Sequence, residues 1–104
     1  MRPTREDGCE KKMPITELKC PQKAYRNALV QVSAETELAD VTRVEFTWSG
    51  AISHYEARMG YAGWGSFTSQ AFAGNAAGRV DVRAAFYDAA GNLRDVRHGW
   101  FEVA

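Results

Sequence analysis

The chain has 104 residues, which is the size of one small domain and too short for two. Lysine plus arginine equal aspartate plus glutamate at 13 each, so the formal net charge is zero, without the basic excess that nucleic-acid binding needs. No apolar run approaches the length of about 20 residues that a membrane-spanning helix needs. We therefore expect one globular domain that binds no nucleic acid and has no membrane span.

Residues 1–23 differ in composition from the rest of the chain. They contain all the prolines and all the lysines, and their apolar residues follow neither a helical nor a strand period. We predict a polar N-terminal arm that is disordered or adds an edge strand, with a short strand near residues 13–18. A disulfide between Cys9 and Cys20 requires an oxidising compartment, and two free thiols are the alternative. Residues 1–7 lack a signal peptide's apolar core, so we expect a cytoplasmic protein if the chain is full-length, and a surface or extracellular domain if it is excised.

Apolar and polar residues alternate with period two from about Tyr25 to the C-terminus, which is typical of strands with one buried face. The candidate strands, in chain order, cover residues 28–34, 43–48, 53–59, 66–73, 80–86 and 93–103. Turn residues separate them, and the hairpin loop at residues 88–92 needs a positive φ that Gly91 or Asn92 can supply. Short strands at this spacing, with no sustained helical period, predict an all-β antiparallel sandwich over residues 24–104.

The aromatic residues fall into two groups. Phe46, Trp48, Phe86 and Trp100 lie on candidate strands at positions whose parity predicts burial in the core. The other group lies in a loop.

Tyr61 and Trp64 lie in a glycine-rich loop, where an aromatic ring can offer a flat face to a sugar or an anchor to a protein partner. The alternative is a loop that folds back over one end of the sandwich. The preceding strand alternates in polarity, and parity gives a solvent-facing polar stripe of His54, Glu56 and Arg58. We predict ligand or partner contacts at Tyr61, Trp64, Arg58 and His54.

Residues 41–46 read VTRVEF, and residues 80–92 read VDVRAAFYDAAGN. These two segments resemble bacterial immunoglobulin-like repeat domains. In that family a V-x-V-x-F strand precedes a closing V-x-A-x-A-x-D-x-x-G-N hairpin, and the similarity extends over residues 26–103. The resemblance implies an immunoglobulin-like sandwich of six to seven strands with a binding or scaffolding role.

A weaker resemblance links residues 86–95 to small starch-binding carbohydrate modules, which carry F-x-D-x-x-G-N-W-D-N-N at the equivalent hairpin. Leu93 stands here in place of that family's sugar-stacking tryptophan, and the asparagine pair is missing. This resemblance implies a carbohydrate-binding module, with the loop aromatics as the sugar contact.

The chemistry-bearing residues do not form a catalytic pattern. His54 and His98 have no nucleophile motif beside them, and Ser66 does not stand in a G-x-S-x-G elbow. The cysteines and histidines lack zinc-site spacing, and Asp88 and Asn92 are better explained as turn formers than as calcium ligands. We therefore predict no catalytic residue, no cofactor and no metal.

The predicted function is a non-catalytic binding or assembly module that acts through protein–protein contacts, with a protein partner or self-association. The alternatives are a carbohydrate-binding module and, third, a small enzyme.

Overall fold

The computed structural model describes residues 15–104. This part of the chain is all-β, with seven strands and no helix, so it contains no helix that could cross a membrane. The strands are β1 (Thr16–Lys19), β2 (Leu29–Thr36), β3 (Val41–Gly50), β4 (His54–Met59), β5 (Ser66–Phe72), β6 (Gly78–Asp88) and β7 (Leu93–Val103). Every strand predicted after residue 24 forms within a few residues of its predicted place.

The strands form two antiparallel sheets. One has the order β1-β2-β5 and the other the order β4-β3-β6-β7. After β1 the chain passes to the other sheet, where Ala24 forms a parallel bridge with Val103 and its carbonyl accepts the Ala104 N–H at 2.8 Å. The predicted all-β antiparallel sandwich is confirmed.

Alternate residues of both sheets form the core between them. Phe46, Trp48 and Phe86 are buried, as predicted. Valines and small residues of β2, β3 and β6 fill the space around these rings, so the buried faces of these three strands follow the alternation seen in the sequence.

Trp100 is an exception, because 54% of it is exposed and its predicted burial is wrong. The register pairs Trp100 with Asp81 and Phe101 with Val80. Directly opposite residues share a face, so Phe101 joins buried Val80 in the core while Trp100 lies on the outer face. The guanidinium carbon of Arg79 lies 4.5 Å from the centre of the outward Trp100 ring.

β1 is an edge strand of the smaller sheet, within the segment predicted as an arm. Arg97 also ties it to the other sheet by donating its Nε–H to the Thr16 carbonyl at 3.0 Å. Cys20 follows β1 and is half-buried, which raises the pKa of its thiol, and a β-carbon at Gly99 would lie 2.8 Å from its sulfur. Cys9 lies outside the described residues, so the disulfide stays a prediction.

Candidate functional site

β4 is an edge strand of the larger sheet, and its polar residues point to the interior side of that sheet. The register pairs Phe46 with Glu56 and Trp48 with His54. Because opposite residues share a face, the alternate side chains of His54, Glu56 and Arg58 lie on the same side as the buried rings. The prediction that Glu56 faces solvent is wrong.

The Glu56 carboxylate connects the two sheets. Its Oε1 accepts the hydroxyl of Ser69 at 2.9 Å and the backbone N–H of Gln70 at 3.2 Å, and lies 3.3 Å from His54 Nε2. Its Oε2 lies 3.1 Å from Arg58 Nε. One side chain of β4 therefore bonds to a side chain and to the backbone of β5.

This network begins in the core and ends at a sheet edge. The buried indole of Trp48 donates its Nε1–H to Ser69 Oγ at 3.0 Å, and Ser69 donates in turn to Glu56. Arg58 Nε donates to the Thr68 carbonyl at 2.8 Å. Within the described residues no strand pairs with the outer edge of β5. Glu56 and Arg58 therefore form hydrogen bonds with backbone groups of that edge that would otherwise lack a partner in the protein.

The pKa of the Glu56 carboxyl is lower than its ordinary value of 4.5. Partial burial by itself raises the pKa, but the hydrogen bonds from Ser69, Gln70 and His54, with the positive charge of Arg58, outweigh that effect. A lowered pKa in the folded state means that the ionised carboxylate stabilises the protein above the unfolded-state pKa. That stabilisation is lost as the pH falls through the folded-state pKa.

We expect Glu56→Gln to lower the free energy of unfolding by about 1–3 kcal/mol at neutral pH, because it weakens charge-assisted hydrogen bonds, including the one from the buried Ser69 hydroxyl. The difference from wild type should shrink as the pH falls below about 4.5, where the wild-type carboxylate takes up its proton. Urea denaturation at a series of pH values measures this. Glu102→Gln, at an exposed carboxylate of β7, is the control and should change little. A Glu56→Gln effect independent of pH would contradict the role of the charge.

An open groove of about 550 Å³ lies where β4 ends and β5 begins. Its lining includes Arg58, Met59, Tyr61, Trp64 and the buried Phe67. The groove therefore brings one cation and several apolar side chains to the side of the sandwich at which the two sheet edges meet.

A tight turn positions the aromatic residues of the groove. The Trp64 N–H donates to the Tyr61 carbonyl at 2.9 Å, and Gly63 and Gly65 adopt φ values of 86° and 83° that favour glycine. The Gly65 carbonyl accepts the Thr36 N–H at 2.9 Å, which attaches the end of the loop to β2.

The Tyr61 and Trp64 rings meet edge to face, with 4.8 Å between their centroids and an angle of 83° between their planes. They are 66% and 51% exposed. Trp64 packs over Gly60, where a β-carbon would lie 3.0 Å from the indole Cγ. The loop thus holds Trp64 in place from one side and leaves it open to the groove on the other.

Three of the four predicted contact residues, Tyr61, Trp64 and Arg58, line the same groove, and their role as contacts stays a prediction. His54 lies at the far end of β4 and does not line the groove. Sequence reasoning missed Met59, which is 73% exposed and also lines the groove. Met59 immediately precedes the glycine-rich loop, and this position is the sequence feature that could have identified it.

The hairpin between β6 and β7 has the predicted turn chemistry. The Asp88 carboxylate accepts the N–H groups of Ala90 and Asn92 at 3.0 and 2.9 Å, and Gly91 has a φ of 87°. Among residues 15–104 no cluster of three or more His, Cys, Asp or Glu side chains is placed to hold a metal ion.

The arrangement as a whole offers contact surface, with aromatic rings and a guanidinium beside a hydrogen-bonded frame. A scan against protein-family models, a search of curated proteins and a search of solved structures each found no match to this chain.

Proposed function

We propose that the chain is a non-catalytic binding module that takes up a segment of a partner protein in the groove between β4 and β5. The observation that carries this proposal is the half-exposed pair of Tyr61 and Trp64 beside Arg58 in one groove. Tryptophan, tyrosine and arginine are the residues that contribute most to the affinity of protein interfaces, especially when they are held in place before binding.

The ring geometry favours a protein segment over a sugar chain. Tyr61 and Trp64 stand almost perpendicular, so together they form a notch rather than a continuous flat surface. A notch with Met59 beside it suits a protruding apolar side chain, and Arg58 suits a carboxylate of the same segment. The exposed side of Trp64 supports the second candidate, a carbohydrate-binding module, because one open indole face can cover one sugar ring.

We also propose that the sandwich is immunoglobulin-like. In this assignment β1, β2 and β5 correspond to strands A, B and E, and β4, β3, β6 and β7 correspond to C′, C, F and G. The groove then lies on the side of the sandwich where other members of this architecture carry strand D. The resemblance of residues 80–92 to bacterial repeat domains supports the same assignment.

Trp64→Ala is expected to weaken peptide binding by about 2 kcal/mol or more, since it removes the larger of the two proposed anchors. Random peptides displayed on phage are selected on the immobilised wild-type chain, and the affinities of the selected peptides are then measured by titration calorimetry. Trp100→Ala is the matched control, because it removes a similarly exposed indole from a different surface and should leave those affinities unchanged.

Circular dichroism of both variants checks that they are folded. Selected peptides that bind Trp64→Ala as tightly as wild type would contradict the proposed groove. A pull-down on insoluble polysaccharides distinguishes the second candidate: binding that Trp64→Ala abolishes, with no peptide ligand found, would replace the protein partner with a carbohydrate.

A further inference from the structure

The outer edge of β4 presents a defined set of free backbone groups. The Gly60 N–H donates to the Thr42 carbonyl at 2.8 Å, which makes these two residues a hydrogen-bonded pair of the β3–β4 ladder. Hydrogen-bonded pairs alternate along an antiparallel ladder, so every second residue before Gly60 also bonds to β3. The N–H and C=O groups of Tyr55, Ala57 and Met59 therefore point away from β3.

Within residues 15–104 no strand pairs with this edge of β4. The side chains of Tyr55 and Met59 lie with Ala57 on the outer face, where they are 58% and 73% exposed. The charged side chains of β4 are on the other face and are directed toward β5. The edge is thus a row of unpaired backbone groups flanked by apolar side chains, which is a template for another strand.

We propose that this edge pairs with the same edge of a second copy of the chain, antiparallel about a two-fold axis at Ala57. Centring the pairing on Ala57 places Tyr55 opposite the partner's Met59, and Glu56 opposite the partner's Arg58. No like charges are then directly opposite, while Glu56 and Arg58 of each copy keep their bonds to β5, and the aromatic ring meets a thioether. Centring it on Glu56 or Arg58 would place like charges directly opposite, and centring it on Tyr55 or Met59 would leave much of the strand His54–Met59 unpaired. Charge and strand length together therefore select Ala57.

In this register the outward-pointing N–H and C=O groups of Tyr55, Ala57 and Met59 lie opposite the outward-pointing groups of the other copy. That gives about six backbone hydrogen bonds and joins the two larger sheets into one continuous sheet. The paired segment is short, so the dimer is weak and depends on concentration. Arg58 and Met59 also line the groove, but the dimer requires neither Tyr61 nor Trp64 and does not rest on what the groove binds.

The first test is Ala57→Lys in the full chain, measured by sedimentation velocity over a wide concentration range. Wild type is expected to change from monomer to dimer as its concentration rises. Ala57→Lys places two lysines directly opposite at the axis and raises the dimer dissociation constant about tenfold or more. Ala76→Lys, at an exposed position between β5 and β6, is the control and leaves it unchanged. A wild-type chain that stays monomeric to concentrations on the order of 1 mM overturns the proposal, as does Ala57→Lys dimerising like wild type.

The second test is cross-linking through Ala57→Cys in a chain that also carries Cys9→Ser and Cys20→Ala. The α-carbons of a hydrogen-bonded antiparallel pair lie about 5.5 Å apart, which is within the range for a disulfide. Mild oxidation should give a covalent dimer, and Ala76→Cys should not. Absence of that dimer overturns the proposal. Trp64→Ala leaves the dimer intact, so failure of the groove and failure of this edge are distinguishable.

Discussion

Trp48→Ala is expected to lower the free energy of unfolding by about 3–5 kcal/mol, as truncation of a fully buried tryptophan does when the cavity cannot collapse. The Trp48 ring is 1% exposed and packs edge to face with Phe101, at 6.0 Å between centroids. A small domain is stable by about 5–15 kcal/mol in total, so this loss removes a large share. Urea denaturation followed by far-UV circular dichroism measures it.

Trp48→Phe separates the two contributions of this side chain. It keeps most of the apolar contact but removes the Nε1–H that bonds to Ser69, so the expected loss is smaller, about 1–2 kcal/mol. A double-mutant cycle with Ser69→Ala should show coupling between the two positions. Equal losses for Trp48→Phe and Trp48→Ala would contradict an account based mainly on packing.

Gly50→Ala is the second substitution with a large expected effect, about 3–5 kcal/mol, because it combines backbone strain with a collision. Gly50 ends β3 at a φ of 104°, a conformation that residues with a β-carbon rarely adopt. An added β-carbon would also collide with the carbonyl oxygen of Arg79, the acceptor for the Ala51 N–H. The backbone of β3 or β6 must therefore move, and denaturant titration of the purified variant measures the cost.

Gly91→Ala is the control for the strain alone. Gly91 has a φ of 87°, but a β-carbon there would have no other atom within 4 Å. We expect about 1–2 kcal/mol for this variant, the usual cost of a left-handed backbone in a residue other than glycine. Similar losses for Gly50→Ala and Gly91→Ala would show that the Arg79 collision relaxes at little cost.

The strands, and the buried faces of β2, β3 and β6, could be predicted from the sequence because their alternation is local, whereas the inward faces of β4 and β7 could not. In β4 one parity holds His54, Glu56 and Arg58 and the other holds Tyr55 and Met59, so hydrophobicity alone places the apolar set inside. In the structure the charged side chains face inward and the apolar side chains face outward. β4 is an edge strand, and its inner face meets the backbone of β5, where charged side chains find hydrogen-bond partners.

The same limit applies to β7, where Trp100 and Phe101 are adjacent and only one of them can face the core. Which of the two faces the core depends on the pairing with β6, and this register cannot be read from the sequence of either strand alone. The loop aromatics Tyr61 and Trp64 were easier to place outside the core, since glycines on both sides of them mark a turn. Their meeting with Arg58 depends on β4 and β5 lying side by side.

The side chains of Glu56 and Arg58 close one side of the sandwich by bonding to Ser69 and to the Thr68 carbonyl of β5. Within the described residues, residues 61–64 of the adjoining loop make no backbone hydrogen bond to either sheet. Backbone hydrogen bonds at Gly60 and Gly65 hold the two ends of the loop to the sheets, and residues 61–64 between them depend on side-chain packing instead. We expect substitutions within residues 61–64 to affect the two sheets less than substitutions of Glu56 or Ser69, which bond one sheet to the other.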